Sequence, residues 1–283
     1  MIIDSHTHIF PTDILNNRES YMDDPGFKLL YSSKKSVIVD HTGLIDYISA
    51  NELYGAAAMS FHWIDEKRCL YHNEYMASII GDNIFPFGII PISGNKSTRS
   101  YVEDIKKQGL AGIGELAFYS DGMNNINIKF LHEVLEASAE FSLPVCLHLN
   151  EPVGHHYPGK YEPSLLQVYE LIKAVPEAVV ILSHWGGGLF FYELMPEVSE
   201  CLKNVFYDTA ATPYIYNDRI YEAALNIIKA EKILFGSDYP LLGVDKYKNS
   251  IGEKVASIDD RRKIFAENAK KLLRINSKEV MLP

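Results

Sequence analysis

Six residues of types that bind metals or move protons stand at the ends of short apolar runs: His6, His8, Glu115, His148, His184 and Asp238. Imidazole and carboxylate form the hard-to-borderline donor mix that suits Zn²⁺ and other divalent first-row ions. Residues i and i+2 of a strand point to the same face, so His6 and His8 can aim at one ion while Thr7 points away. Neutral imidazole and carboxylate bind at neutral pH without a thiol. Each residue alone has a plainer reading. Asp238 in GSDYP could cap a helix or a turn, and Glu115 after a Gly-x-Gly stretch could be an ion-pair partner. His184, just before Gly186-Gly187-Gly188, could sit in a loop. His41, His62, His72 and His132 fall in other contexts and read as surface or packing residues. The shared position of the first six, at five run ends in barrel order, favours one common site.

The elements that must carry these residues follow from the pattern. Nearly continuous apolar runs occur at Met1–Asp4, Tyr54–Phe61, Ile84–Ile90, Leu110–Ala117, Pro144–Leu149, Ala178–Ser183, Asn204–Thr209 and Lys232–Ser237. Such runs suit parallel strands buried on both faces. The spacing predicts helices over Ile45–Asn51, Asp65–Gly81, Ser97–Gly109, Ile128–Phe141, Ser164–Val175, Asn217–Ala230 and Asp259–Arg274, with Thr42 or Asp40 capping the first. Eight alternations predict a (β/α)8 TIM barrel with its site at the C-terminal strand ends. The rival, a doubly wound open sheet, would place a glycine-rich phosphate turn after the first strand, where this chain has His-Thr-His. Two segments exceed a minimal barrel. An insertion at about 11–40 (Pro11–Asp40), containing DDPGF and SSKKS, is expected to pass over the mouth. Asn150–Pro163, with three prolines and two glycines, reads as a structured loop. One domain over residues 1–283 is the simplest organisation.

The chain has 283 residues, 27 basic and 37 acidic, for a formal net charge of −10. That length can bury a large core without disulfides. Apolar residues at 47% and charged residues at 23% are ordinary globular usage and argue against disorder. The acidic balance speaks against nucleic acid or an anionic membrane surface as the main partner. Three scattered cysteines, Cys69, Cys146 and Cys201, form neither a disulfide framework nor a CxxC zinc site, so a reducing cytoplasm is expected. The first residues show no signal-peptide pattern, and no apolar run approaches the ~18 residues of a membrane span.

With DSHTHIF (Asp4–Phe10), CLHLN (Cys146–Asn150), LSHWGGG (Leu182–Gly188), FGSDYP (Phe235–Pro240) and ENAKKLL (Glu267–Leu273) in this order, the chain resembles the amidohydrolase superfamily of metal-dependent TIM-barrel hydrolases. More narrowly it resembles the amidohydrolase-2 branch, which includes aminocarboxymuconate-semialdehyde decarboxylase and relatives. The resemblance implies that His6, His8, His148 and Asp238 bind a divalent ion, one or two in number and Zn²⁺ by expectation. Asp238 would also shuttle the proton of a bound water. His184 would bind a second ion or act as a catalytic histidine. Glu115 departs from the decarboxylase pattern and stands where a glutamate of binuclear members would stand, or orients a ligand histidine.

The expected activity is metal-dependent hydrolysis, with a metal-activated water attacking an ester, lactone, amide or phosphoester centre. The alternative is metal-dependent, non-oxidative decarboxylation of an aromatic or unsaturated carboxylic acid. A catalytically silent metal-binding scaffold is the third reading. A small molecule is the expected substrate, and a homo-oligomer is possible. His155, His156 and Lys160 of the long loop could bind an anionic substrate or decorate the surface. Trp63 and Trp185 could wall the pocket or pack in the core.

Overall fold

The computed structural model describes residues 1–81, 83–161 and 164–275. Eight parallel strands are hydrogen-bonded in sequence order: β1 Ile3–His8, β2 Gly55–Met59, β3 Ile84–Gly88, β4 Gly112–Leu116, β5 Val145–Leu147, β6 Val180–Leu182, β7 Val205–Asp208 and β8 Ile233–Leu234. The ring closes through main-chain bonds from Ser5 N to the Phe235 carbonyl and from His8 N to the Tyr239 carbonyl, at 2.8 and 2.7 Å. This is the expected (β/α)8 barrel. Strand parity sorts the core. Ala57 and Met59, Cys146, and Ile181 join one inner cluster, while their neighbours Ala56 and Ala58, Val145 and Leu147, and Val180 and Leu182 pack in the outer layer.

The larger helices are α3 His41–Ala50, α4 Glu66–Ser78, α5 Thr98–Lys107, α6 Asn125–Phe141, α7 Leu165–Ala174 and α10 Arg219–Ile228. Most start on a residue whose side chain accepts from the first turn: Asp40, Asp65, Ser97, Asn124 and Ser164. The insertion after β1 is itself helical, with α1 Thr12–Asn16 and α2 Pro25–Tyr31.

Several boundaries differ from the sequence reading. The first strand runs on through His8, because the polar Ser5-His6-Thr7 stretch is still paired with β2. The tract Asp259–Arg274 is three linked pieces: α12 Ile258–Arg262, a π turn at Lys263–Glu267 and α13 Asn268–Leu272. In the wide turn the Ile264 carbonyl accepts from Phe235 N at 2.9 Å, a bond that ties this segment to the strand-eight edge. The segment His184–Leu194 after β6, which the apolar pattern did not announce, has left-handed backbone through the glycine-rich stretch 184–188 and turns helical only beyond that kink, followed by α8 Pro196–Cys201. A four-residue turn α9 Thr212–Ile215 and the helix α11 Asp245–Lys254 also lie outside the predicted set. Glu162, Pro163 and residues 276–283 lie outside the described residues, including the last two positions of the expected loop. Among the described residues, no helix is long and apolar enough to cross a membrane.

Candidate metal centre

Two strand irregularities aim the donors. Between Asp4 and Thr7, strand β1 advances three residues while β2 advances two, so Ser5 and His6 stand against Ala57 alone. Strand β4 does the same against β5, with Gly114 and Glu115 opposite Cys146. Such bulges bend a strand and re-aim a side chain, and they recur beside active sites. Both are opposed by a small inward residue. Gly114 has φ +142°, and a Cβ there would lie 2.7 Å from the Cys146 Cβ, so no other residue fits.

The six predicted residues converge in two sets. His6, His8 and Asp238 form one, and Glu115, His148 and His184 the other, with ligand atoms in each set within 4.8 Å of one another. The Nε2 atoms of His6 and His8 are 3.0 Å apart, and Asp238 Oδ1 lies 3.7 and 3.3 Å from them. Glu115 joins the sets. Its Oε1 is 3.2 Å from His148 Nδ1 and 3.8 Å from both His6 Nε2 and His184 Nε2, while its Oε2 is 3.8 Å from His8 Nε2. His148 thus groups with Glu115 and His184 rather than directly with the strand-one pair.

The chemistry of this donor set fits a divalent ion. His6 Nδ1 is held by Asp208 Oδ2 at 2.8 Å, which fixes the ring and leaves Nε2 facing the cluster. His184 Nδ1 faces the Ala210 carbonyl at 3.1 Å, which turns its Nε2 inward. The buried Nε2 of His148 has no hydrogen-bond partner, and such an orphan needs an explanation. Cys146 also lies beside His6, but burial pushes its thiol up to about 11, so it remains a neutral packing group.

Burial alone would favour the neutral forms of Glu115, Asp238, His6, His148 and His184, and at all of these but His184 the neighbours reverse it. Burial pushes the Glu115 carboxyl up, yet His148 and His6 together hold it well below the ordinary range. For Asp238 burial again raises, and the His8 hydrogen bond with the His6 and His8 charges lowers further. Burial pulls His6 down, while Asp208 and Glu115 raise it well above an ordinary imidazole. His148 is raised in the same sense, with Glu115 outweighing burial, whereas burial and His148 leave His184 lowered.

Two supporting residues escaped the sequence reading. Asp208, at the end of β7, also accepts from the main-chain N–H groups of His184 and Ala210 at 2.9 and 3.0 Å. Its signal was one carboxylate closing the run NVFYDT. Asp4, inside the DSHTHIF motif, accepts from Tyr47, from Ser237 Oγ and from Ser237 N, and so anchors the chain just before Asp238. The rim is also bent: His184, Trp185, Ala211 and Asp238 all have φ between 55° and 67°, a left-handed conformation that costs non-glycine residues energy.

A cavity of about 620 Å³ opens onto the cluster. His8, Glu115, His148, His184 and Asp238 line its floor, and Tyr31, Phe61, Tyr119, Tyr157 and Tyr214 supply rings to its walls. Leu30, Tyr31 and residues 35–37 of the insertion, with His155 and residues 157–159 of the long loop, border it. Of the predicted substrate contacts, His155 borders the cavity, while His156 is exposed outside it. Lys160 is tied to Glu151 Oε1 at 3.2 Å and to the Val153 and His155 carbonyls. Trp63 and Trp185 do not reach the cavity. Trp63 is buried against Phe27 and Phe61 and donates to His72, and Trp185 packs on Tyr221 and donates to Thr212. Both lie past their strand ends, where strand parity no longer fixes direction; Phe61 and Tyr119 are the rings that face in.

A parallel barrel with histidines and carboxylates gathered at its strand ends defines the class of metal-site TIM barrels. Residues 3–275 match the family model described as amidohydrolase, of the amidohydrolase-2 type, and the chain belongs to that family. No curated protein gives a match. Among solved structures, the 5-carboxyvanillate decarboxylase of Sphingomonas paucimobilis superposes with a TM-score of 0.77 at 15% identity, covering 97% of this chain and 99% of that one. A dihydroxybenzoic acid decarboxylase from Polaromonas sp. JS666, with bound manganese and 2-nitroresorcinol, gives 0.70 at 16% identity and covers 97% of each chain. The 5-carboxyvanillate decarboxylase of Novosphingobium aromaticivorans, also with manganese, gives 0.74 at 12%, covering 97% of this chain and 96% of that one. At these identities the likeness is one of fold.

Proposed function

We propose that this chain is a metal-dependent decarboxylase of a small aromatic or unsaturated carboxylic acid. The observation that carries the reading is the cavity: a space of about 620 Å³, bordered by tyrosine and phenylalanine rings, that ends on the donor cluster. A planar acid fits such walls by ring stacking while its oxygens meet the floor. The manganese-bound decarboxylases of the same fold support it. A divalent ion held by His6, His8 and Asp238, with Glu115 beside them, would supply positive charge to fix and polarise the acid's oxygens. The chain's own residues do the rest. Asp208 keeps His6 oriented, and the Ala210 carbonyl keeps His184 oriented. The rings would shield the reacting carbon from bulk water. Loss of carbon dioxide leaves an electron pair on carbon that must be met by one proton, and we assign its relay to Asp238, which borders the cavity and, as a carboxylate, would take the proton from a water or a substrate hydroxyl and pass it to that carbon.

A second reading, hydrolysis, draws on one specific observation. Glu115 divides its two oxygens between both donor sets, an arrangement suited to a pair of ions. One experiment separates the readings. Protein loaded with Mn²⁺ or Zn²⁺ is incubated in ¹⁸O-water with hydroxybenzoates and aromatic dicarboxylates, and in parallel with esters and lactones. Decarboxylation predicts carbon dioxide equal to substrate lost and no ¹⁸O in the organic product. Label in the product without carbon dioxide would replace this reading by hydrolysis. Bound ion with no turnover of either panel would leave a scaffold.

A further inference from the structure

The cavity floor carries two carboxylates, Glu115 and Asp238, within a chain of net charge −10. An ion at the donor cluster would answer one carboxylate of an entering acid, and any second negative group needs a countercharge of its own elsewhere on the lining. Lys160 cannot supply one, because its ammonium is already shared among Glu151 and two main-chain carbonyls. Among the described residues lining the cavity, Lys35 is the one side chain with a permanent positive charge. It forms no ion pair among the described residues. Nor is its segment a loose loop. Ser36 N donates to the Ser33 carbonyl at 3.0 Å, Lys35 N to Ser33 Oγ at 3.2 Å, and Ser36 Oγ to the Leu30 carbonyl at 2.7 Å. Arg18 Nη1 adds a bond to the Ser33 carbonyl at 3.3 Å. This built turn holds Lys35 on the cavity lining at its solvent-exposed edge, while its equally exposed neighbour Lys34 is outside the lining.

We propose that Lys35 is a specificity-determining residue and that the substrate carries a second carboxylate, directed at this edge while the first meets the donor cluster. The inference rests on the cavity being the substrate site and names the class it takes: dicarboxylic ring acids. An ammonium on a flexible stem can extend to such a group while its methylenes lie along the tyrosine walls.

The test uses the full chain loaded with Mn²⁺ and two probes, isophthalate with two carboxylates and benzoate with one, titrated calorimetrically. Wild type should bind isophthalate more tightly than benzoate. Lys35→Met should weaken isophthalate about tenfold or more, the worth of one charge-assisted hydrogen bond, and leave benzoate within about twofold. Lys35→Arg should restore most of the preference, and Lys34→Met should change neither probe. Equal affinities in wild type, equal losses for both probes, or no loss in Lys35→Met would each overturn the proposal. The outcome is independent of the carbon dioxide assay. A hydrolase could show the Lys35-dependent preference, and a decarboxylase lacking it would keep its activity and refute only this inference.

Discussion

At the barrel mouth His6 and His148 face carboxylates, whereas behind Phe61 and Phe10 the rings of His62 and His72 face main-chain carbonyls. All four are buried. His72 accepts from the Trp63 indole and its other nitrogen meets the Ile9 carbonyl at 3.1 Å; burial lowers it to about 3. His62 borders the cavity, yet its two nitrogens are spent on Ala117 and on the Ile90 carbonyl, and burial lowers it too. At the mouth, Asp208 and Glu115 reverse that effect for His6, and Glu115 does so for His148. Burial therefore does not decide what a histidine does here. The partners decide: neutral rings with both nitrogens satisfied pack, and rings set against carboxylates with a nitrogen left over can bind an ion.

The largest effect that would test this contrast is at Asp238. Asp238→Asn keeps an oxygen donor and nearly the same shape but removes the basic site, so kcat for carbon dioxide release should fall ~10²–10⁴-fold at equal metal content. Activity within a few-fold of wild type would remove Asp238 from proton transfer. Next is Asp208→Asn. Weakening the partner that orients His6 should lower ion affinity about 10–100-fold, read by competition with a chelator, with the far-ultraviolet spectrum unchanged. His72→Gln should leave ion affinity alone, and a matching loss there would break the contrast.

Glu115→Gln tests whether the two donor sets are one site or two. If Glu115 joins two ions, metal content should drop from about two equivalents toward one, measured by elemental analysis after dialysis. One equivalent in both proteins leaves Glu115 as an orienting group for His148. The smallest effect concerns stability. His72 stays neutral in the fold down to about pH 3, while the unfolded imidazole protonates near 6.5. Its contribution is therefore complete above about pH 6.5 and is lost as pH falls toward 3, at about 1.4 kcal/mol per unit within that window. Denaturant titrations of chelated protein at several pH values should show a flatter acid slope for His72→Gln than for wild type.

Much of the site was legible because its donors sit in local motifs at strand ends, and barrel closure brings strand ends together whatever their separation in sequence. The helices with side-chain caps were legible for the same local reason. What escaped depends on direction and register. His6 and Glu115 sit at strand bulges, and a bulge leaves no mark in a pattern of apolar residues. Asp208 became visible only when β7 lay beside the His6 ring. The tryptophans were placed by sequence position, but side chains beyond a strand end turn as the loop turns. Lys160 looked like an anion ligand until the fold of its own loop consumed its donors.

The left-handed rim has a consequence for anyone seeking a sturdier version of this protein. Ala211 sits at φ 55° on the cavity wall, where glycine would be relaxed and alanine is not. Ala211→Gly should relieve that local strain, partly offset by the freer unfolded chain. The same remedy at His184 or Asp238 would delete a side chain of the donor cluster. Heat resistance and turnover thus compete at this rim, and a selection for thermal tolerance alone would be drawn toward variants that no longer work.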